Sequence, residues 1–182
     1  MDEKQFAALV KEELEKNLPS CYSVTFGESL IYKLFVNTQG QVEPQNVQEA
    51  KRGQLAFQTD LLIKKMNSTV TSKGIPLVVI ELKFGRFTTH DILTYSAKAT
   101  KHKEIYPYLR YGLMVGGVKK IDRRFFTHNS GFDFAAAVEK PELLSEVTEI
   151  AMQQLQDAER MLKVFQGEEV KRYITRVELT LN

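Results

Sequence analysis

The chain predicts an α/β (α+β) fold with a central mixed β-sheet flanked by helices, and three observations carry that prediction. The β-branched run Leu77 to Ile80, set between Pro76 and Gly85, has the composition of a fully buried strand. A helical pattern follows it and leads into a second apolar run, Tyr111 to Val115, so strand, helix and strand make a parallel crossover. Upstream, Leu55 to Ile63 reads as a strand joined to Leu77 to Ile80 by the polar turn Lys64 to Gly74, which makes that pair antiparallel and the sheet mixed.

Each element has its own signal. Asp2 to Leu18 repeats Phe6, Leu9, Val10, Leu14 and Leu18 on one helical face, and Pro19 stops it. Glu13 falls inside that apolar arc, where a long carboxylate either reaches out from the rim or serves a site. Cys21 to Phe26 and Leu30 to Val36 alternate as strands, forming a hairpin or one strand after an irregular entry. Thr38 to Gly53 is polar and reads as a long loop, with one helical turn near Val47 to Ala50. Thr88 caps a helix to Tyr106, with Asp91 completing the capping box. Ile92, Leu93, Ser96, Ala99 and Thr100 give that helix a small-residue face, and Lys98, Lys101 and His102 another. Phe125-Phe126 suggests a short strand. Pro141 opens a long helix to about Phe165, its apolar stripe running from Leu143 and Leu144 to Leu162 and Phe165. Tyr173, Thr175, Val177, Leu179 and Leu181 alternate as a final strand, either a sheet edge or a dimer contact.

At 182 residues, 43% hydrophobic and 26% charged, the chain fits one domain, 1–182, with a core at 2–117 and a helix-and-strand extension at 118–182. Single Cys21 allows neither an internal disulfide nor a cysteine-rich zinc site, and fits a reducing, cytoplasmic setting. Met1 to Lys16 is not built as a signal peptide, and no apolar run approaches membrane-spanning length. The net charge of +2 hides a division: Lys51 to Arg124 carries 15 Lys and Arg against 5 Asp and Glu, while the remainder is acidic. A basic middle between acidic ends is the footprint of a polyanion-binding face, and nucleic acid is the leading partner. Lys98, Lys101, Lys119, Lys120, Arg123 and Arg124 are the candidate phosphate contacts. His90, His102 and His128 have no ligand spacing and read as surface or capping residues.

The chemistry gathers around three residues. Asp60 interrupts an apolar strand, and Glu81 and Lys83, two apart, project from one face of the next. Carboxylates from two neighbouring strands are hard oxygen ligands suited to Mg²⁺ or Mn²⁺, which take their remaining ligands from water and phosphate. Lys83 beside them would position water, contact a phosphate, or act as a base if its pKa were depressed.

Asp60, a 20-residue interval and Glu81-Leu82-Lys83 together resemble the PD-(D/E)xK nuclease superfamily, with Thr59 where the family places Pro. The likeness covers roughly residues 2–117 in the order helix, strands, Asp strand, Glu-x-Lys strand, helix, strand. It implies a restriction-endonuclease-like core and a hydrolase: a Mg²⁺-dependent DNA endonuclease of restriction, repair or recombination type, working as a homodimer. It further implies Asp60 and Glu81 as metal ligands and Lys83 as the residue assisting attack, and Glu13 matches an acid that some members add from the first helix. A nucleic-acid-binding module that keeps the fold without turnover is the alternative.

Overall fold

A computed structural model of the chain describes residues 1–45, 53–67 and 71–180. The amphipathic helix at the start, α1 (Glu3–Asn17), is capped by Asp2, whose side chain accepts from the backbone of Gln5 while Gln5 answers to the backbone of Asp2. The chain then enters β1 (Tyr22–Phe26), β2 (Ser29–Ile31), β3 (Phe35–Val36), β4 (Val42–Glu43), β5 (Ala56–Gln58), β6 (Leu61–Asn67) and β7 (Thr71–Phe84). Helix α2 (Thr89–Ile105) begins at Thr88 with Asp91 closing the capping box, and β8 (Arg110–Gly116), α3 (Arg123–His128), β9 (Phe134–Val138) and α4 (Leu144–Phe165) follow.

A five-stranded mixed sheet, ordered β1-β6-β7-β8-β9, forms the centre. β1, β6 and β7 pair antiparallel, while β7, β8 and β9 run parallel, so α2 is the crossover expected between Leu77 and Val115. Period-two alternation along β7 builds both cores. Val78, Ile80 and Leu82 meet Phe6, Val10 and Leu155 on the α1 and α4 face; Val79 joins Leu62, Ile92, Leu113 and Phe125 on the α2 and α3 face. Burial of these side chains, each worth about 1.5–3 kcal/mol, outweighs local propensity in fixing the register. Among the described residues, no helix is long and apolar enough to cross a membrane.

Several expectations are corrected. Leu55 to Ile63 is two strands, broken at Thr59 and Asp60. The Thr59 backbone N–H and hydroxyl both donate to the Glu28 carbonyl at 3.0 Å, which ties the break to the β1–β2 turn. The expected turn Lys64 to Gly74 is largely strand, because partners elsewhere neutralise the two lysines that open it: Lys64, only 8% exposed, reaches Glu28 at 2.6 Å, and Lys65 reaches Glu159 at 2.7 Å. Register shifts between β6 and β7 admit Pro76, which cannot donate to a regular ladder. Cys21 to Phe26 and Leu30 to Val36 make neither a hairpin nor one strand: β1 pairs with β6 and β2 with β5. Within the long loop Val42–Glu43 is a strand, β4, which pairs with β3 just ahead of the loop; the turn expected at Val47 to Ala50 lies outside the described residues. Phe125-Phe126 sits in a helix, α3, capped by Asp122 at the Arg124 N–H, 2.8 Å away. On α2, Leu93 and Thr100 face solvent, and so do Leu143, which precedes α4, and Phe165 at its end. No final edge strand forms over residues 171–180, whose apolar side chains are exposed.

β9, Phe-Ala-Ala-Ala-Val, has no strand signal of its own and is held by its neighbour. Phe134 lies over Gly112 of β8, and a Cβ there would stand 2.0 Å from the ring. Gly112→Ala is expected to cost about 1–3 kcal/mol by overpacking, read as a lower melting temperature; an unchanged transition would show that β9 detaches without consequence.

Candidate active site

Asp60 and Glu81 meet where β6 begins and β7 ends. Leu61 stands opposite Ile80, so the adjoining residues Asp60 and Glu81 come alongside one another at the end of the pair. There the backbone ladder gives way to a side chain, as the Leu82 N–H donates to Asp60 Oδ2 at 2.9 Å. The bend at Asp60 thus has a local cause, a carboxylate taking the place of a strand carbonyl.

Glu81 is fully buried on the α2 face. Its Oε1 accepts from the Lys98 ammonium at 2.6 Å and from the Tyr111 hydroxyl at 2.5 Å. Its Oε2 has no hydrogen-bond partner among the described residues. Burial pushes the carboxyl up, Lys98 draws it back, and the neighbouring Asp60 adds to the rise, leaving it at about 7. The charged form is therefore held in place through Oε1, while the neighbouring Asp60 disfavours it.

Lys83 lies farther out on the same face. Its ammonium is 3.4 Å from Glu3 Oε2, 3.9 Å from Asp91 Oδ1 and 5.6 Å from the Tyr95 ring centroid. Burial disfavours the charge, but the Tyr95 hydroxyl, Glu3 and Asp91 outweigh it and hold the amine above its ordinary range. A lysine so held is a permanent cation, and the role of base lapses. Lys98, expected only as a phosphate contact, is the amine that touches Glu81.

Glu13 is not brought to this group. It accepts from Asn17 Nδ2 at 2.8 Å near the far end of α1. At about 1.5 Å of rise per residue it stands some 15 Å along the helix from Glu3, and Glu3 is the α1 acid that reaches the site. The other basic candidates are spread. Lys101 is exposed beside Tyr32, Lys119 lies 3.6 Å from Glu139, Lys120 and Arg123 are exposed, and Arg124 pairs with Asp122 at 3.1 Å. His90 and His128 are exposed as expected, whereas His102 is fully buried, its Nε2 is 3.2 Å from the Leu30 carbonyl, and burial lowers its pKa to about 4.

Asp60 and Lys98 line an open cleft of about 650 Å³, with Glu3, Lys4, Tyr32 and Tyr95 among its other walls. Glu81 is buried behind that wall. Among the described residues, no three acidic, His or Cys side chains converge as a ready-made metal cage. The donors present nonetheless fit Mg²⁺ or Mn²⁺: two hard carboxylates in mutual repulsion, one with an oxygen lacking a partner among the described residues, would leave the remaining positions to water and phosphate. Tyr111, Tyr95 and Lys98 were not singled out for the carboxylates by the sequence. The available signal was the spacing Asp91, Tyr95, Lys98, a polar stripe along one side of α2 that faces Glu81 and Lys83. No protein-family model matches this chain, and no curated protein and no solved structure matches it either.

Proposed function

We propose that this protein is a divalent-metal-dependent nuclease that hydrolyses DNA phosphodiesters, with Asp60 and Glu81 as the metal ligands. The observation that carries the reading is Glu81: a carboxylate with no solvent exposure, set beside a second acid, with Oε2 left without a hydrogen-bond partner among the described residues. Such an arrangement costs stability, and a functional cation offsets that cost better than a scaffold does. The element order α1, β1, β6, β7, α2, β8 is the order that the PD-(D/E)xK resemblance implies, and it supports a restriction-endonuclease-like core.

The chain's own residues divide the work. Lys98 and Tyr111 orient Glu81 through Oε1 and leave Oε2 available. Asp60 is fixed by the Leu82 N–H. Lys83, charged and packed on Tyr95, supplies positive charge for a phosphate. A divalent ion held there would lower the pKa of a water and neutralise charge on the phosphoryl oxygens.

The test is cleavage of plasmid and linear DNA with Mg²⁺ or Mn²⁺, against EDTA. Cleavage is expected only with metal, and Asp60→Asn should reduce it by roughly 10²–10³, the rate equivalent of several kcal/mol. DNA binding with steep salt dependence but no cleavage would select the non-catalytic binding module instead. The absence of both binding and cleavage would overturn the reading.

A further inference from the structure

The small sheet of β2 and β5 borders the cleft that Asp60 lines, and a series of rings gathers along it. Tyr32 and Phe57 lie face to face, centroids 3.8 Å apart and planes 10° from parallel, and both line the cleft that Asp60 lines. Beneath them Phe57 meets His102 edge-on at 5.7 Å, and His102 is locked in the interior by the Leu30 carbonyl. The outermost ring is therefore fixed in orientation before any ligand arrives, which lowers the cost of binding against it. Stacking for the sake of the core alone would bury Tyr32, yet it is only half-buried and forms part of the cleft wall.

One amine lies near this ring and others line the cleft. Lys101 places its ammonium 6.0 Å from the Tyr32 centroid, and Lys4 and Lys98 line the same cleft. From Tyr32 the chain runs on into exposed Leu34, Phe35 and Val36, so apolar surface continues away from the ring. An aromatic platform with cations about it is the chemistry that holds an unstacked base and its phosphate. Within a duplex the faces of the bases are covered by their neighbours, whereas a single strand offers them.

Resting on the nuclease reading above, we infer that the cleft takes single-stranded nucleic acid, with one base stacked on Tyr32 and its phosphate directed toward Asp60 and Lys98. A single strand needs one site, so a second copy of the chain is not required for it.

The test is fluorescence anisotropy in EDTA at low salt, where metal and cleavage play no part, using a labelled 12-nucleotide DNA strand, the same sequence as RNA, and the DNA duplex. Either single strand is expected to bind about 10-fold or more tighter than the duplex, the better of the two identifying whether DNA or RNA is the ligand. Tyr32→Ala should weaken single-strand binding by about 10-fold to 100-fold, Tyr32→Phe should restore it, and duplex binding should follow neither change. Duplex binding equal to or tighter than single-strand binding overturns the inference. So does a Tyr32→Ala variant, melting as wild type, that binds single strands as well, or a Tyr32→Phe variant that binds no better than the Ala variant. Metal-dependent duplex cleavage alongside any of these results would leave the nuclease reading standing and remove only the single-strand preference.

Discussion

Glu81→Gln is expected to abolish metal-dependent cleavage and, in the metal-free protein, to remove a loss of stability that the wild type suffers between about pH 4.5 and about pH 7. In the folded chain the Glu81 carboxyl keeps its proton up to about 7, while in the unfolded chain it releases it near the ordinary 4.5. Across that window the folded state binds more protons, so raising the pH disfavours folding. The cumulative penalty is on the order of 3 kcal/mol, reached in full above the folded-state value. Gln preserves the shape and still accepts from Lys98 and Tyr111, but it does not titrate, so its stability curve lacks this decline. Urea unfolding in EDTA at a series of pH values measures the difference between the two proteins, and a difference that stays constant from pH 4.5 to 8 would refute the burial argument. Adding Mg²⁺ at pH 8 should raise the wild-type melting temperature and leave the Gln variant where it was, since only the carboxylate binds.

Lys98→Met is the second large effect, and it acts through the acid rather than on the substrate alone. The ammonium, 2.6 Å from Oε1, is the strongest influence holding the Glu81 carboxyl down against burial. Without it the carboxyl keeps its proton to still higher pH, and the acidic limb of the cleavage profile is expected to move up by about one pH unit, which is about tenfold in rate at a fixed pH on that limb. Lys98→Arg, which keeps a positive charge, should leave the limb close to its wild-type position. Cleavage rates measured from pH 5.5 to 9 decide the matter: a Met variant slowed equally at every pH would make Lys98 a phosphate contact only.

The fold was legible where one pattern dominated. Thr88 and Asp91 marked the start of α2, the run Leu77 to Ile80 marked the central strand, and their order required the parallel crossover to Tyr111. It was illegible where a distant partner decided the local structure. Lys64 and Lys65 looked like a turn because Glu28 and Glu159, which neutralise them, are remote in sequence. Ala135 to Ala137 became a strand only because β8 offers a parallel edge with Gly112 making room for Phe134. The site divides in the same way. Asp60 and Glu81 stood out because acids in core strands are costly, but strand alternation alone left open that one N–H, that of Leu82, would fix Asp60. Lys98 looked like surface charge among other lysines, since its partner lies across the interface between helix and sheet. Glu13 was placed correctly on its helix and at the wrong end of it for this cleft.

The hydrogen bond from the Leu82 N–H to Asp60 has a bearing on how such a site would decay over generations. Asp60 supports the fold on its own account by filling a gap in the ladder, so drift would preserve it even in a descendant that cut nothing. Glu81 is a burden on the metal-free fold at neutral pH, and in a descendant released from its chemistry every neutral replacement of fitting shape would be favoured. The two acids are therefore unequal witnesses: an aspartate retained at 60 testifies to architecture, and a glutamate retained at 81 testifies to use.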